Sequence, residues 1–340
     1  MSIWADAPRL PALSGVTRTR FEQEIVPAGR PALLKGLVHD WPIVGTAAQS
    51  PQALADALLA HANREGIQAW FAQPELGGRF TYSDDLGGFN HERHIVTLAD
   101  LLAYLIDHSA DPAAHTAYAG GIPIPKIMPR LLPQLPMPLL AEGREMLVSL
   151  WLGGRSRTAA HWDVPQNLAC VVAGRRRFTL FPTDQVANLY VGPLDFTLAG
   201  QPTSLVDIVE PDLERFPKFR EAMAAAVMAE LEPGDALYLP SLWWHHVESL
   251  DSFGAMVNFW WRDGPDWLMT PLFTLFHSLL TIRDLPPTER AAWRVFFDHY
   301  IFQTGDDPWA HLPESARGTF GELTPERRTQ LKSMLAAPLR

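Results

Sequence analysis

At 340 residues, with 47% hydrophobic and 19% charged side chains, the chain has an ordinary globular balance and enough length for one large domain with extensions or for two modest ones. A net charge of −10 leaves no basic footprint of the kind that phosphate-backbone binding requires, which argues against a nucleic-acid partner, although Arg155, Arg157, Arg175, Arg176 and Arg177 cluster in one region. Cys170 is the single cysteine, which excludes an intrachain disulfide and a thiolate zinc site and fits a reducing cytoplasm.

The segment from Met1 to Pro8 lacks a basic stretch followed by an apolar one, so no secretory signal is expected. Pro31–Val38 reads as a strand. Ser50 before Pro51 offers an N-cap with proline at the first helical position, predicting a helix through Ala62. Ile67–Phe71 again has strand character. Thr97 and Asp100 form a capping box, with Asp in place of the usual Glu, and open a helix to about His108 whose Leu98, Leu101, Leu102 and Leu105 share one face.

From about residue 147 the texture changes to short apolar or alternating runs split by Gly and Pro: Met146–Leu152, Leu168–Val172, Arg177–Phe181, Ala236–Leu239 and Ala255–Trp261. This is the pattern of an antiparallel barrel, with Gly174 and Gly234-Asp235 as turns. Cys170, inside one such run, reads as a small buried hydrophobe. Residues 182–232 interrupt the series with a Pro-rich loop and a helix expected over Phe219–Glu230. From Pro265 the tail reads as helical, with starts at Thr270-Pro271, at Pro287 (running to about Phe302) and at Thr324-Pro325. Within it the uncharged stretch Trp267–Ile282 is shorter than the ~20 residues of a membrane span, so no membrane association is expected. The expected organisation is an α/β extension over 1–120, a barrel over 121–264 and a helical tail over 265–340.

Chemistry concentrates in His161-Trp162-Asp163 and in the His245-His246 pair, which begins 84 residues after His161. On a strand, residues i and i+2 project from one face, so His161 and Asp163 can hold one ion while Trp162 points away. With a second His from a neighbouring strand they make the facial triad that binds non-haem Fe(II) and leaves positions open for co-substrate and O2. Zn, Ni or Mn would also fit such donors, because affinity alone does not select iron.

Five segments in order carry a family resemblance: His161-Trp162-Asp163, Gly174–Pro182, Pro233–Pro240, Trp243–Ser249 and Val257–Trp260. Together they resemble the cupin-like branch of the JmjC 2-oxoglutarate oxygenases, closest in pattern to the asparaginyl hydroxylase of hypoxia-inducible factor. The resemblance implies a mainly β fold with α, built on a double-stranded β-helix (jelly-roll, cupin) core. It implies His161, Asp163 and His245 as ligands to Fe(II), with His246 on the opposite face of its strand. It also implies 2-oxoglutarate as co-substrate, with Thr158, Asn167, Asn258 and Tyr118 lining its pocket. The family has a lysine for the far carboxylate of 2-oxoglutarate; here Arg176 takes the equivalent place, able to grip a carboxylate through two parallel hydrogen bonds. Arg175 and Arg177 should point to the other face.

The implied reaction is hydroxylation of a C–H bond with release of succinate and CO2, most directly on a protein or peptide side chain. A small molecule or a modified RNA base is the alternative substrate, and a metal-binding cupin without oxygenase activity (an isomerase or a degenerate binding module) is the alternative function. Of the tryptophans, Trp243, Trp244, Trp260 and Trp261 are expected mainly in the core. His91, His94, His108 and His299 lack metal spacing and are expected to be structural or on the surface. Relatives pair through a helical tail, so a homodimer through the C-terminal helices is expected.

Overall fold

The computed structural model describes residues 3–337 apart from 5, 304 and 306; residues 1, 2 and 5 of the segment read for a targeting signal lie outside the described residues. The chain divides into two compact units, one ending at Gly264 and one beginning at Pro265.

The first unit is built from strands β1 (Ala12–Ser14), β2 (Ala32–Lys35), β3 (Ile67–Ala72), β4 (Arg79–Phe80), β5 (His91–Val96), β6 (Thr116–Pro123), β7 (Leu147–Gly153), β8 (Arg157–His161), β9 (Gln166–Ala173), β10 (Arg176–Phe181), β11 (Val227–Leu231), β12 (Ala236–Leu239), β13 (Trp244–Ser249) and β14 (Gly254–Trp261). They form a nine-stranded sheet in the order β1-β2-β12-β9-β14-β7-β6-β3-β5 and a five-stranded sheet in the order β11-β10-β13-β8-β4. From β7 onward the chain repeatedly crosses between the two sheets, and its ladders there are antiparallel, which is the winding of a jelly roll. Strands from the first 123 residues extend the two sheets rather than forming one of their own, β4 joining the smaller and the others the larger, and β6 runs across position 120.

Side-chain alternation along β9 shows how the sheets are filled. Ala169 and Val171 pack inward with Phe178, Leu180, Leu237 and Val247, between the sheets. Leu168, Cys170 and Val172 pack outward against a second layer that includes Leu54 and Leu58 of the Pro51–His61 helix and Leu98, Leu101, Leu102 and Leu105 of the Leu98–Asp107 helix. A strand covered on both faces reads as a continuous apolar run, which is why Leu168–Val172 was legible. Cys170 is fully buried there, and burial pushes its thiol pKa up, as a packing residue requires. Both expected caps are present: Ser50 Oγ accepts from the Ala53 N–H, and Thr97 and Asp100 complete the capping box.

One expected helix is cut short. The helix over Phe219–Glu230 stops at Ala225, and Val227–Leu231 is a strand, β11, paired along its length with β10. The helix-forming run of Glu, Ala and Met is overridden because Met228, Ala229 and Leu231 find buried places beside β10, and tertiary burial outweighs a propensity of a few tenths of a kcal/mol per residue.

The second unit is helical, with helices Leu272–Thr281, Pro287–Phe297 and Pro325–Ala336; Thr324 Oγ1 caps the last by accepting from the Arg327 N–H. None of these helices has a buried residue. Among the described residues, no helix is long and apolar enough to cross a membrane.

Candidate metal centre and its cavity

The site is assembled on the inner faces of the two sheets. β13 pairs with β8 so that His245 lies opposite His161, and with β10 so that His246 lies opposite Thr179. The β8–β13 register slips between His245 and Val247, with Val247 opposite Thr158. Strict alternation would put Thr158 and His161, three residues apart, on opposite faces. The bulge turns both into the same cavity.

Asp163 is not on the strand, contrary to the simple i, i+2 picture. β8 ends at His161, and Trp162–Asp163 lie in the short turn that leads through Pro165 into β9. The turn is fixed from the other side of the site instead. The Leu242 N–H donates to the Asp163 carbonyl at 2.9 Å, and Ser241 Oγ donates to the Val164 carbonyl. Leu242 holds a left-handed φ of +65° to do so. Trp162 packs with Trp244 in a separate cluster outside the cavity.

His161, Asp163 and His245 thereby bring one donor atom each to within 4.8 Å of one another, the one such group among the described residues. Asp163 Oδ2 lies 3.7 Å from His245 Nε2, and the two imidazole centroids are 4.2 Å apart. Each histidine has its Nδ1 on a backbone carbonyl: His161 on Ala159 at 2.9 Å, His245 on Trp243 at 3.0 Å. A carbonyl only accepts, so Nδ1 carries the proton in both rings, which leaves Nε2 as the atom each ring can offer to a metal. That is the outer support that orients histidine ligands in metal sites. Burial, then the nearby His161, pushes the His245 pKa down to about 4, so the ring is neutral at pH 7. His246 is equally buried but faces away from the cavity, as strand alternation requires.

Tyr118, Thr158, Asn167, Arg176 and Asn258 line the same cavity as the triad. Arg176 is 2% exposed, and its Nε and Nη2 have no acceptor among the described residues. Burial lowers its pKa, yet a guanidinium stays protonated in a protein, so this is a buried cation with open donors. Its neighbours in sequence leave the cavity: Arg175 pairs with Asp251 at 2.9 Å, Arg177 with Glu230 at 2.9 Å. Tyr118 is buried, bonded to the Thr158 side chain, and held neutral by desolvation. Asn258 Nδ2 donates to Asn167 Oδ1 at 2.9 Å, leaving Asn258 Oδ1 buried without a partner among the described residues.

Of the eight residues with such orphaned buried polar atoms, four (Trp151, Arg176, Asn258 and Trp260) line this one cavity. A larger surface hollow beside Tyr104, His108 and Asp111 is lined by none of them, so the chemistry points to the cavity at the triad. Its remaining wall is Phe178, Leu239, Val247 and Met256. Sequence reasoning did not single out these four or Trp151. An inward apolar residue in a strand looks the same whether it meets another core side chain or a ligand.

The fold and the site define a jelly-roll protein with a candidate mononuclear metal centre and a buried cation, Arg176, in the same cavity. The chain belongs to the cupin-like domain family: that family's profile matches residues 18–266. It is similar to human HSPB1-associated protein 1 (39% identity over 33% of this chain and 23% of that protein). It is similar also to Arabidopsis thaliana lysine-specific demethylase JMJ31 (31% identity over 34% of this chain and 21% of that protein). The likeness to chicken tRNA wybutosine-synthesizing protein 5 is longer, 27% identity over 76% of this chain and 79% of that protein. The chain thus spans less than a quarter of the first two relatives.

Proposed function

We propose that the protein is an Fe(II)- and 2-oxoglutarate-dependent dioxygenase that hydroxylates a C–H bond of a protein or peptide side chain. The observation that carries the reading is the coincidence of a His-Asp-His donor set with a buried, unpaired Arg176 in one cavity. In this reading His161, Asp163 and His245 hold the metal, with the Ala159 and Trp243 carbonyls fixing both rings. Arg176, assisted by Tyr118 and Thr158, receives the far carboxylate of 2-oxoglutarate, which supplies the counter-charge that the guanidinium lacks. Asn167 and Asn258 offer amide groups to the rest of that molecule. Fe(II), 2-oxoglutarate and O2 together supply the oxidation, giving succinate and CO2; the chain's part is orientation and exclusion of water by Phe178, Val247 and Met256.

A second substrate class, a modified RNA base, has one observation behind it, since a relative matched over 76% of this chain is named for tRNA wybutosine synthesis. The net charge of −10 weighs against it. We further propose a cytoplasmic homodimer joined through the C-terminal helices.

Anaerobic titration of the Fe(II) protein with 2-oxoglutarate tests the reading. A metal-to-ligand charge-transfer band that His245→Ala abolishes and Arg176→Ala weakens is expected. A protein that holds Fe(II) and gives no band would be a metal-binding cupin with another activity.

A further inference from the structure

Two orphaned polar atoms in the cavity have no part in the reading above. The indole N–H groups of Trp151 and Trp260 are buried without an acceptor among the described residues, although each side chain as a whole is only partly buried. A tryptophan with part of its ring exposed ordinarily turns its N–H toward water. An N–H turned inward with no acceptor forfeits a hydrogen bond and is costly to keep. The two rings meet edge to face, with centroids 5.6 Å apart, so each braces the other in that orientation.

The chain also makes room for Trp151. Pairing between β6 and β7 slips between Ala119 and Ile122, and Gly121 in the slip takes a left-handed φ of +66°. A Cβ on Gly120 would lie 2.6 Å from Cζ3 and 2.9 Å from Cε3 of Trp151. A Cβ on Gly153 would lie 2.9 Å from Cδ2 of Tyr118. Two bare glycine backbones are therefore needed for these two rings to stand where they do.

Trp151 stands toward the Arg176 end of the cavity. It pairs with Met256, between Asn258 and Gly254 along β14, and a Cβ on Gly254 would lie 3.7 Å from Arg176 Nη2. The ring of Tyr118 lies 6.1 Å from it, centroid to centroid.

We propose that Trp151 is a specificity-determining residue of this cavity: its indole N–H donates to the carboxylate that Arg176 receives, and its ring limits the length of the dicarboxylate that fits. This rests on the co-substrate reading above. Tyr118, Arg176 and Trp151 then form three sides of one carboxylate seat, and the orphaned N–H has its acceptor.

The test uses protein loaded with Zn(II), which is diamagnetic and does not turn over. Calorimetric titration compares 2-oxoglutarate with 2-oxopentanoate, which has the same chain length and no far carboxylate. Trp151→Phe is expected to weaken 2-oxoglutarate binding about tenfold or more and to leave 2-oxopentanoate unchanged, while Trp151→His, which keeps a ring N–H, recovers part of the loss. In the wild type, the Trp151 indole N–H resonance is expected to move downfield with 2-oxoglutarate and not with 2-oxopentanoate, a readout independent of whether a variant folds. Wild-type protein that binds 2-oxoglutarate with that resonance unmoved, or a Trp151→Phe variant that binds it equally well, overturns the role of Trp151 alone. Wild-type protein that holds Zn(II) and binds neither acid overturns the co-substrate reading and this inference with it.

Discussion

Asp163 Oδ2 stands 3.7 Å from His245 Nε2, and neither residue owes that distance to a shared strand. The loop that leads into β13 clamps the loop that leaves β8, through Ser241 and Leu242. The two halves of the donor set are therefore held by one backbone junction, and the segment that delivers His245 also aims Asp163.

Removing the clamp should loosen the metal without removing a ligand. Ser241→Ala deletes the hydrogen bond to the Val164 carbonyl and is expected to lower Zn(II) affinity about tenfold, in the range of outer-support substitutions. Asp163→Ala, which deletes a donor, should lower it by more than about 100-fold. Competition with a chromophoric chelator measures both. Equal affinity in all three proteins would remove the triad from consideration as a metal site.

Arg176 predicts opposite effects on stability and binding. A buried guanidinium with open donors destabilises the ligand-free fold, so Arg176→Met should raise its unfolding free energy by about 1–3 kcal/mol while abolishing 2-oxoglutarate binding. Arg176→Lys should bind more weakly than wild type, because a point charge replaces a two-pronged donor. Chemical denaturation and calorimetry give the two readings. A destabilised Arg176→Met variant would mean that the guanidinium has partners that stabilise it.

Much of this was legible before any coordinates. Arg176 was separable from Arg175 and Arg177 by strand alternation alone, and the capped helices announced themselves through Ser50-Pro51 and Thr97–Asp100. What stayed hidden has physical reasons. β11 is written in helix-forming residues and becomes a strand only because β10 offers it a ladder. β5, with His91, Glu92, Arg93 and His94, is an edge strand whose exposed side chains carry no alternation to read. The bulge that turns Thr158 and His161 to one side belongs to the pairing of two distant segments, and no local pattern encodes it.

Three histidines predict the acid response of the ligand-free protein. His91, His245 and His246 are each pushed down to about 4, chiefly by burial, from an ordinary value of 6.5. Between pH 6.5 and 4 the unfolded chain binds protons that the folded chain refuses. Stability from these groups is therefore full above pH 6.5 and is lost as pH falls toward about 4. His246 is the cleanest probe, since it is 3% exposed and both ring nitrogens lack a partner among the described residues. His246→Leu should flatten the fall of the unfolding free energy, measured by urea denaturation, between pH 7 and pH 5, by an amount on the order of 1–3 kcal/mol. An unchanged slope would show that His246 titrates normally.

The last prediction concerns the helical unit. Its helices Leu272–Thr281 and Pro287–Phe297 bury no side chain, yet they carry Phe273, Leu280, Val295 and Phe296 at 57%, 77%, 65% and 55% exposure. Leaving that apolar surface in water forgoes roughly 25 cal/mol per Å², and the homodimer proposed above would cover it. A second copy of the chain is the expected partner, and a symmetric pairing would cover the same patch on both copies. Light scattering on the intact protein at micromolar concentration should therefore give twice the chain mass, and the pair Leu280→Glu and Phe296→Glu should give the single mass with the cavity's 2-oxoglutarate affinity retained. A wild-type monomer under those conditions would leave this apolar face to a different partner.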